Sequence, residues 1–326
     1  MSSQNKLFEL IKMNYPHQHS IDYYAEKLLL SKGEIIGLLQ ELVDLHYPLN
    51  FSNNTVTLTV PMISQSKIQS LLSEWRLPYS SLFFPRIPST NSKALTDISE
   101  FSDRTVLLTD YQYKGKGRLG REWQSPIGSA VTLSLILKPV ISGEQAVLFT
   151  QLTAAALVQA LKPYVSAEIK WPNDIIVGNK KIAGILTETS FNGSQLEGIV
   201  VGVGINTSLS KNDISSSLAE KATSLLIETG MHIDPNQIVT EFIRSFEVFY
   251  REWQLTNDSS DFITLCKKAS VLIGKEIIVR TGESARLAHV RDINSLGELI
   301  VQYTDDESLT PLRTLDFSIR GLSSYI

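Results

Sequence analysis

A short segment near the middle of the chain, Gly115 to Ser125, carries residue types that could bind an anion. Glycine lets backbone N–H groups turn towards a ligand, and cationic side chains can neutralise phosphate or carboxylate charge. The segment therefore predicts a glycine loop that closes over a charged ligand, with a solvated basic loop as the alternative. The cations in or beside it are Lys114, Lys116, Arg118 and Arg121.

Two common nucleotide-binding motifs do not explain this loop. Gly115, Gly117 and Gly120 formally match G-x-G-x-x-G, but that dinucleotide motif requires a helix to begin at the loop. Here the loop leads into the apolar run 131–137, which predicts a strand. The Walker pattern G-x-x-x-x-G-K-[ST] has no match in the chain. A strand–loop–strand arrangement with several cations favours a flap over an anion.

A second candidate group is Lys170, which ends an apolar run and precedes a tryptophan and a proline. Trp171 and Pro172 would shield its ammonium from water and so strengthen its attraction to an anion. The alternative is a surface lysine that precedes a turn.

Three polar residues in succession, Ser89, Thr90 and Asn91, stand at the entry of a helix predicted from Ser92 to Ile98. Such side chains commonly cap a helix by accepting hydrogen bonds from its first N–H groups. They could equally surround the polar head of a ligand.

The apolar pattern indicates the elements that position these residues. Apolar runs predict strands at 105–108 and 131–137, on either side of the glycine loop. The run 198–206 is nearly continuous and ends in small residues, which is typical of a central strand that something approaches closely. Further predictions are a hairpin around Gly178-Asn179, an amphipathic helix from Gln145 to Leu161, a helix from Asp213 to Thr229, and a helix from Asp234 that buries Ile238, Phe242, Phe246, Phe249 and Trp253.

The first 60 residues are predicted to form three helices and a hairpin. Ser20 can cap the second helix, and Ser31 with Glu34 has the capping-box spacing for the third. Asn53-Asn54 marks a turn between two alternating segments. This order predicts a winged helix-turn-helix, a class that commonly binds DNA. The charge argues against DNA, because this segment holds four lysines, no arginine and six acidic residues.

The chain changes character from Val271 onwards. Short β runs at 277–280, 285–293, 299–303 and 316–320 alternate with glycines and with Asp305-Asp306. This spacing predicts a small antiparallel barrel.

Composition limits the function classes. The chain has 326 residues, 43% hydrophobic and 20% charged, which is typical of a globular protein with two or three domains. A net charge of −4 gives no overall attraction to nucleic acid or acidic membranes. The single cysteine, Cys266, excludes an intramolecular disulfide and a multi-thiolate metal site. We see neither a cleavable leader nor an apolar run long enough for a bilayer, so we expect a cytoplasmic protein without a membrane partner.

Five motifs taken together resemble those of the bifunctional biotin–protein ligases, which in bacteria often also repress the biotin operon. The resemblance spans nearly the whole chain. It implies an α+β protein with a winged helix-turn-helix domain at 1–62, a mixed α/β ligase domain of the class II synthetase-like type at 63–268, and an SH3-like β-barrel at 269–326. In chain order, the motifs are STN at 89–91, YQYKGKGRLGREWQSP at 111–126, KWPND at 170–174, KKIAGIL at 180–186 and GVGIN at 202–206.

The resemblance implies a reaction in two steps. The biotin carboxylate attacks the α-phosphate of ATP, which yields biotinyl-5′-AMP and pyrophosphate. A lysine of the biotin carboxyl carrier protein then attacks the mixed anhydride and releases AMP. Magnesium would arrive with ATP, and no separate protein metal site is implied. Operator DNA is a further candidate partner, and a homodimer joined through the central sheet is expected by resemblance.

The same resemblance assigns roles to individual residues. Lys170 and Arg118 would be catalytic, with Lys170 contacting the biotin carboxylate and the α-phosphate. The biotin site would comprise Ser89, Thr90, Asn91, Gln112, Lys116, Gly117, Arg118 and Lys170. The ATP and adenylate site would comprise Arg118, Arg121, Trp123, Asn173 and Asn206.

The chain departs from the family pattern in two places. Lys116 stands where the family more often has arginine, so the cation there lacks a planar fork. The predicted recognition helix lacks basic residues, which puts operator binding in question. A lipoate ligase, which shares the catalytic architecture, is the alternative enzyme.

Overall fold

The structure is a computed structural model that describes residues 2–215, 218–281, 284–306, 308–313 and 318–321. Within these ranges, no helix combines the length and apolar character needed to cross a membrane.

The N-terminal unit contains the predicted helices and hairpin. Ser20 caps the second helix, and Ser31 and Glu34 form the expected capping box at the third. A short first strand adds a third member to the hairpin, in the antiparallel order β1-β3-β2. The elements are α1 (Ser3–Asn14), β1 (His19–Ser20), α2 (Ile21–Leu28), α3 (Lys32–Asp44), β2 (Leu49–Ser52) and β3 (Thr55–Leu58).

A seven-stranded sheet forms the centre of the molecule, in the order β4-β5-β6-β10-β9-β8-β7. Only β4 and β5 run parallel; the other described pairs in this sheet are antiparallel. Its middle strand is β10, which confirms the prediction from the run 198–206. The strands are β4 (Ser80–Ile87), β5 (Thr105–Gln112), β6 (Ala130–Leu137), β7 (Glu168–Lys170), β8 (Asp174–Val177), β9 (Lys180–Asn192) and β10 (Gln195–Asn206).

Six α-helices accompany this sheet in the described part of the chain. Pro235 occupies the first turn of α8, and its buried stripe includes Phe242, Phe246 and Trp253 as predicted. The helices are α4 (Gln65–Glu74), α5 (Thr90–Thr96), α6 (Leu148–Leu161), α7 (Leu225–Thr229), α8 (Pro235–Thr256) and α9 (Ser260–Ala269).

Two helix predictions need correction, and one further helix is missing from the predictions. The segment predicted as one amphipathic helix from Gln145 is a 3-10 turn followed by α6, and α6 is buried on nearly all sides because it packs between the sheet, α8 and α9. Of the helix predicted from Asp213 to Thr229, only α7 is α-helical among the described residues; a 3-10 turn ends at Asp213, and a further turn lies at 218–221. Finally, α9 was not predicted.

The C-terminal strands confirm antiparallel β-structure but not a closed barrel. They form an open sheet in the order β14-β13-β12-β11-β15. Closure needs hydrogen bonds between the two edge strands, and the described parts of β14 and β15 each pair with one neighbour only. Residues 316 and 317 of the predicted last strand lie outside the described residues. The strands are β11 (Glu276–Thr281), β12 (Ser284–Ile293), β13 (Leu299–Tyr303), β14 (Leu309–Leu312) and β15 (Ser318–Gly321).

Two large apolar clusters hold these layers together. One contains buried side chains from Leu7 to Met62, and the other contains side chains from Ile63 to Leu312, including both the central and the C-terminal sheet. The units also touch through a buried ion pair, in which the Lys12 ammonium lies 3.1 Å from Oδ2 of Asp110 on β5. The division into three domains stays a prediction.

Candidate active site

A narrow cleft with a cavity volume of about 60 Å³ opens against β9 and β10 and is bordered by the glycine loop. It brings together nine of the twelve residues that the sequence analysis named. Those nine are Ser89, Thr90, Asn91, Gln112, Lys116, Gly117, Arg118, Trp123 and Asn173. The structure does not bring Lys170, Arg121 or Asn206 into the cleft wall.

One end of the cleft carries neutral hydrogen-bonding groups. Ser89 caps α5 by accepting from the N–H of Ser92, as its position before a helix predicted. The N–H and hydroxyl of Thr90 both donate to Oε1 of Gln112, at 2.7 and 3.0 Å. Ser134 on β6 was not predicted as part of this end, yet its hydroxyl lies 2.7 Å from Oγ1 of Thr90. This polar end offers donors and acceptors without a formal charge.

Asn91 is fixed inside the wall behind this polar end. Its Nδ2 donates to the backbone oxygen of Leu186 and to Oε2 of Glu188, at 3.1 and 2.8 Å. Its Oδ1 lies 2.5 Å from the Ser134 hydroxyl. An ideal Cβ at Gly202 would lie 2.3 Å from that Oδ1, so β10 requires glycine at this point. Asn91 therefore shapes the cleft by holding β9 and α5 together.

The glycine loop folds back on itself as a small strand–loop–strand flap, as predicted. The Gly117 N–H donates to the Arg121 backbone oxygen at 2.7 Å, and the Trp123 N–H donates to that of Gly115 at 3.0 Å. Arg118 reaches across the cleft, where its Nη1 donates to Oδ1 of Asn173 at 3.0 Å. Burial lowers the pKa of the Arg118 guanidinium below its ordinary value. By contrast, Arg121 is exposed and does not line the cleft.

A cation that the sequence analysis missed, Lys181, lines the cleft. Its Nζ forms an ion pair with Oδ1 of Asp174 at 2.6 Å and lies 5.7 Å from the centre of the Trp123 ring. An ideal Cβ at Gly184 would lie 2.8 Å from this Nζ. Residues 181 and 184 point to opposite faces of a regular strand, but a bulge between β8 and β9 brings them together. The motif KKIAGIL includes this lysine, but the direction of the Lys181 side chain depends on the bulge, which the motif does not show.

The Trp123 ring covers the glycine floor of the cleft. An ideal Cβ at Gly204 would lie 2.5 Å from its Cζ2, and one at Gly184 would lie 3.4 Å from its Cζ3. The indole Nε1 is buried and finds no hydrogen-bond acceptor among the described residues. An unsatisfied buried donor costs about 1–3 kcal/mol. This cost favours a different position of the ring when a ligand offers an acceptor to Nε1.

The remaining predicted residues lie beside the cleft rather than in its wall. Lys170 is buried on β7 and pairs in register with Asp174 of β8. Trp171 is buried, but its ring points to the C-terminal sheet, where Nε1 donates to the Gly297 oxygen at 3.0 Å. Asn206 ends β10 and donates to the Thr223 oxygen at 2.9 Å. In the described residues, no group of three or more His, Cys, Asp or Glu side chains could hold a metal ion.

Residues 83–206 match the Biotin/lipoate A/B protein ligase family. The Biotin--[acetyl-CoA-carboxylase] ligase of Paracoccus denitrificans is 30% identical over 242 residues, which cover 71% of this chain and 98% of that relative. The chain belongs to the biotin/lipoate protein ligase family. All twelve predicted site residues, and Lys181, lie within the matched range.

Two further likenesses fit this family. The Bifunctional ligase/repressor BirA of Bacillus subtilis (strain 168) is 32% identical over 200 residues, which cover 61% of each chain and thus less than two thirds of that relative. The biotin protein ligase from Aquifex aeolicus, solved in complex with biotin and ATP, superposes with a TM-score of 0.62 and 21% identity. This superposition covers 74% of the present chain and 98% of the other, and it shows a shared fold.

Proposed function

We propose that this family member is an ATP-dependent biotin–protein ligase. The observation that carries the proposal is the division of the cleft into a neutral polar end and a cationic end. Ser89, Thr90 and Gln112 form the first, and Arg118 and Lys181 face the second. A molecule with a neutral hydrogen-bonding head and a carboxylate tail matches this order. The name of the Paracoccus relative, Biotin--[acetyl-CoA-carboxylase] ligase, supports biotin as that molecule.

The walls between the two ends suit the apolar bicycle and chain of biotin. Leu133, Ile185 and Val203 line the middle of the cleft. We assign the ureido head to the polar end, where its two N–H groups and its carbonyl find partners of both kinds. Backbone groups of the glycine loop, beside Lys116 and Gly117, would close over it.

The cations allow two anions to react. In the first step, a biotin carboxylate oxygen forms a bond to the α-phosphorus of ATP, and the bond from that phosphorus to the bridging oxygen breaks, so that pyrophosphate leaves. Arg118 and Lys181 reduce the repulsion between carboxylate and triphosphate and stabilise the charge that develops on the phosphoryl oxygens. We therefore assign to Lys181 the electrostatic role that the sequence analysis gave to Lys170.

The second step transfers the acyl group. The neutral amine of an acceptor lysine attacks the acyl carbon, the bond to the adenylate oxygen breaks, and AMP leaves while the amine loses its proton. The biotin carboxyl carrier protein is the proposed acceptor. Magnesium would enter with ATP, and a homodimer and a cytoplasmic location stay predictions.

The adenylate is proposed to lie over the glycine floor. Trp123 must leave Gly184 and Gly204 to admit it, after which its indole can flank the base. Asn173 faces the same space, whereas Asn206 would act through the segment it holds at Thr223. From its exposed position, Arg121 would reach the phosphates only if the flap closes further.

Direct detection of the intermediate tests the proposal. The purified chain, incubated with biotin and MgATP, should form biotinyl-5′-AMP and release pyrophosphate, both measurable by mass spectrometry and a coupled phosphate assay. Lipoate in place of biotin tests the alternative enzyme, since a lipoate ligase would give the larger thermal shift and the faster turnover with lipoate. Absence of any acyl-adenylate with either acid would refute the ligase.

A second candidate function is repression of transcription through the N-terminal unit. The three helices and hairpin favour it, because α2 and α3 follow each other as in a helix-turn-helix, and the Bacillus relative is named a repressor. Two of the four lysines there form ion pairs, with Lys12 buried against Asp110 and Lys32 paired with Asp22. A gel shift with biotin operator DNA, biotin and ATP decides it; no shift at low salt would exclude this role.

A further inference from the structure

The segment Trp171–Asp174, which we call the WPND segment, links the cleft to the C-terminal sheet. It connects β7 to β8, and its two halves face different parts of the molecule. Trp171 and Pro172 contact groups behind the cleft, while Asn173 and Asp174 contact cations that border it. A displacement of Trp171 or Pro172 would therefore also displace Asn173 and Asp174, which contact the cations of the cleft.

The back of the segment is held by the turn between β12 and β13, residues 294–298. The Trp171 ring is buried, and its Nε1 donates to the Gly297 oxygen at 3.0 Å. Gln151 on α6 supports the same place, because its Nε2 donates to the Pro172 oxygen at 3.0 Å. Gly297 has a φ of +76°, and an ideal Cβ there would lie 2.9 Å from Cγ of Gln151. The turn thus sits directly on the segment and on its support.

The turn is held by hydrogen bonds of its own. The Asn294 N–H donates to the Glu298 oxygen at 3.0 Å, and the Gly297 N–H donates to the Asn294 oxygen at 2.9 Å. The Ser259 hydroxyl anchors the turn to the start of α9 by donating to the Ser295 oxygen at 2.6 Å. Because these hydrogen bonds hold the turn in place, the turn can determine the position of the Trp171 ring.

The front of the segment orients both cations of the proposed reaction. Asn173 exchanges two hydrogen bonds with Ile185 of β9, at 2.9 and 3.0 Å, and its Oδ1 accepts from Arg118. Asp174 holds the Lys181 ammonium at 2.6 Å. Loss of the hydrogen bond from Trp171 to Gly297 would let these two acceptors shift, and Arg118 and Lys181 would shift with them.

We propose that the β12–β13 turn is a positioning element for acyl-adenylate formation, acting through Trp171 on Asn173 and Asp174. This inference rests on the proposed function and adds Trp171, Gln151 and Gly297 as positioning residues. They touch neither ligand. The polar end of the cleft, to which we assign the ureido head, lies on α5 and β5, so the hydrogen bond from Trp171 to Gly297 should affect the chemical step more than the binding of the acid.

The test measures biotin KM and kcat for adenylate formation in the full chain. Trp171→Phe keeps an aromatic ring but removes the N–H donor to Gly297. One such hydrogen bond is worth about 1 kcal/mol, so we expect kcat to fall about 5-fold or more while KM for biotin changes less than about 2-fold. Gly297→Ala leaves Trp171 intact and pushes the turn from Gln151, and it should show the same split between kcat and KM.

Gly274→Ala is the matched control. Gly274 also has a positive φ, +82°, in the same part of the chain, but no atom lies within 4 Å of its ideal Cβ. Its substitution therefore imposes the same type of backbone strain without touching Trp171, and kcat should stay near wild type. Urea unfolding of each variant gives the fraction of folded enzyme, and kcat is then calculated per folded molecule.

A second measurement separates positioning from general loosening. If Trp171 acts through Asn173, the losses in kcat from Trp171→Phe and Asn173→Ala should not add in the double variant. Independent effects that multiply in full would overturn the inference, as would wild-type kcat in both Trp171→Phe and Gly297→Ala, or an equal loss in Gly274→Ala. Failure of the proposed function appears differently, as absence of adenylate with the wild-type chain.

Discussion

Replacing Gly202 with alanine should destabilise the protein far more than the same change at Gly204, two residues along the same strand. Both glycines face the cleft from β10, and neither has a positive φ, so alanine suits the backbone at both. The difference lies in what each new methyl group meets. At position 202 it meets the fixed amide of Asn91, and at position 204 it meets the ring of Trp123.

The size of the effect follows from the contacts of Asn91. The new Cβ would lie 2.3 Å from its Oδ1, and real Cβ contacts essentially never fall below 3.0 Å, so the amide must move by at least the difference. Such a move disrupts the bonds to Ser134 and Glu188, at 2.5 and 2.8 Å. With about 1 kcal/mol for a neutral bond and about 2 for one to a carboxylate, we expect a loss near 3 kcal/mol.

The Trp123 ring can move at a lower cost in free energy, because it is only partly buried and lies on a loop. We expect Gly204→Ala to cost less than about 1 kcal/mol, within the range of substitutions that neighbours can accommodate. Urea unfolding at constant pH measures both values. In Asn91→Ala the obstacle is gone, so adding Gly202→Ala should cost little more. Equal losses for the two glycines, or full additivity with Asn91→Ala, would refute this reasoning.

Three further predictions concern catalysis, pH and the N-terminal unit. Lys181→Met should lower the rate of adenylate formation about 100-fold, whereas Lys170→Met should change it much less; stopped-flow or single-turnover assays compare them. Burial raises the pKa of Asp110 to about 6, so its folded state binds a proton more tightly than the unfolded chain. This contribution to stability is fully present only below the ordinary pKa of 3.8 and is lost as the pH rises from there to about 6. Asp110→Asn should flatten that part of the urea-derived stability profile. Ser31→Ala removes the capping box of α3 and should cost about 1 kcal/mol by thermal unfolding, unlike a substitution of exposed Gln40.

Local chemistry explains why much of the fold was readable from the sequence. Ser31 and Glu34 form their capping box from neighbouring residues alone, and the turn at Asn53-Asn54 needs only two positive φ angles. The β10 run is apolar on both faces because layers cover both sides of the sheet. In each case the deciding interaction lies within a few residues or follows from burial.

The errors arise where distant contacts decide the outcome. The apolar content of α6 exceeds one face because the sheet, α8 and α9 surround it, and periodicity within one helix does not show those neighbours. Residue types located the cleft, but the direction of Lys181 depends on a bulge in the pairing of β8 with β9. The sequence does not show that bulge, so it favours Lys170, at the end of an apolar strand, as the cation, and the role of Lys170 stays a prediction.

The place of the Trp123 ring has a practical consequence. The chain has four tryptophans, and Trp123 is the one that lines the cleft, while Trp171 and Trp253 are buried elsewhere. Anything that settles on Gly184 and Gly204 has to displace this indole, and its emission responds to the change in surroundings. Occupancy of the nucleotide side can thus be followed by intrinsic fluorescence, without a label, in any variant that keeps this one side chain.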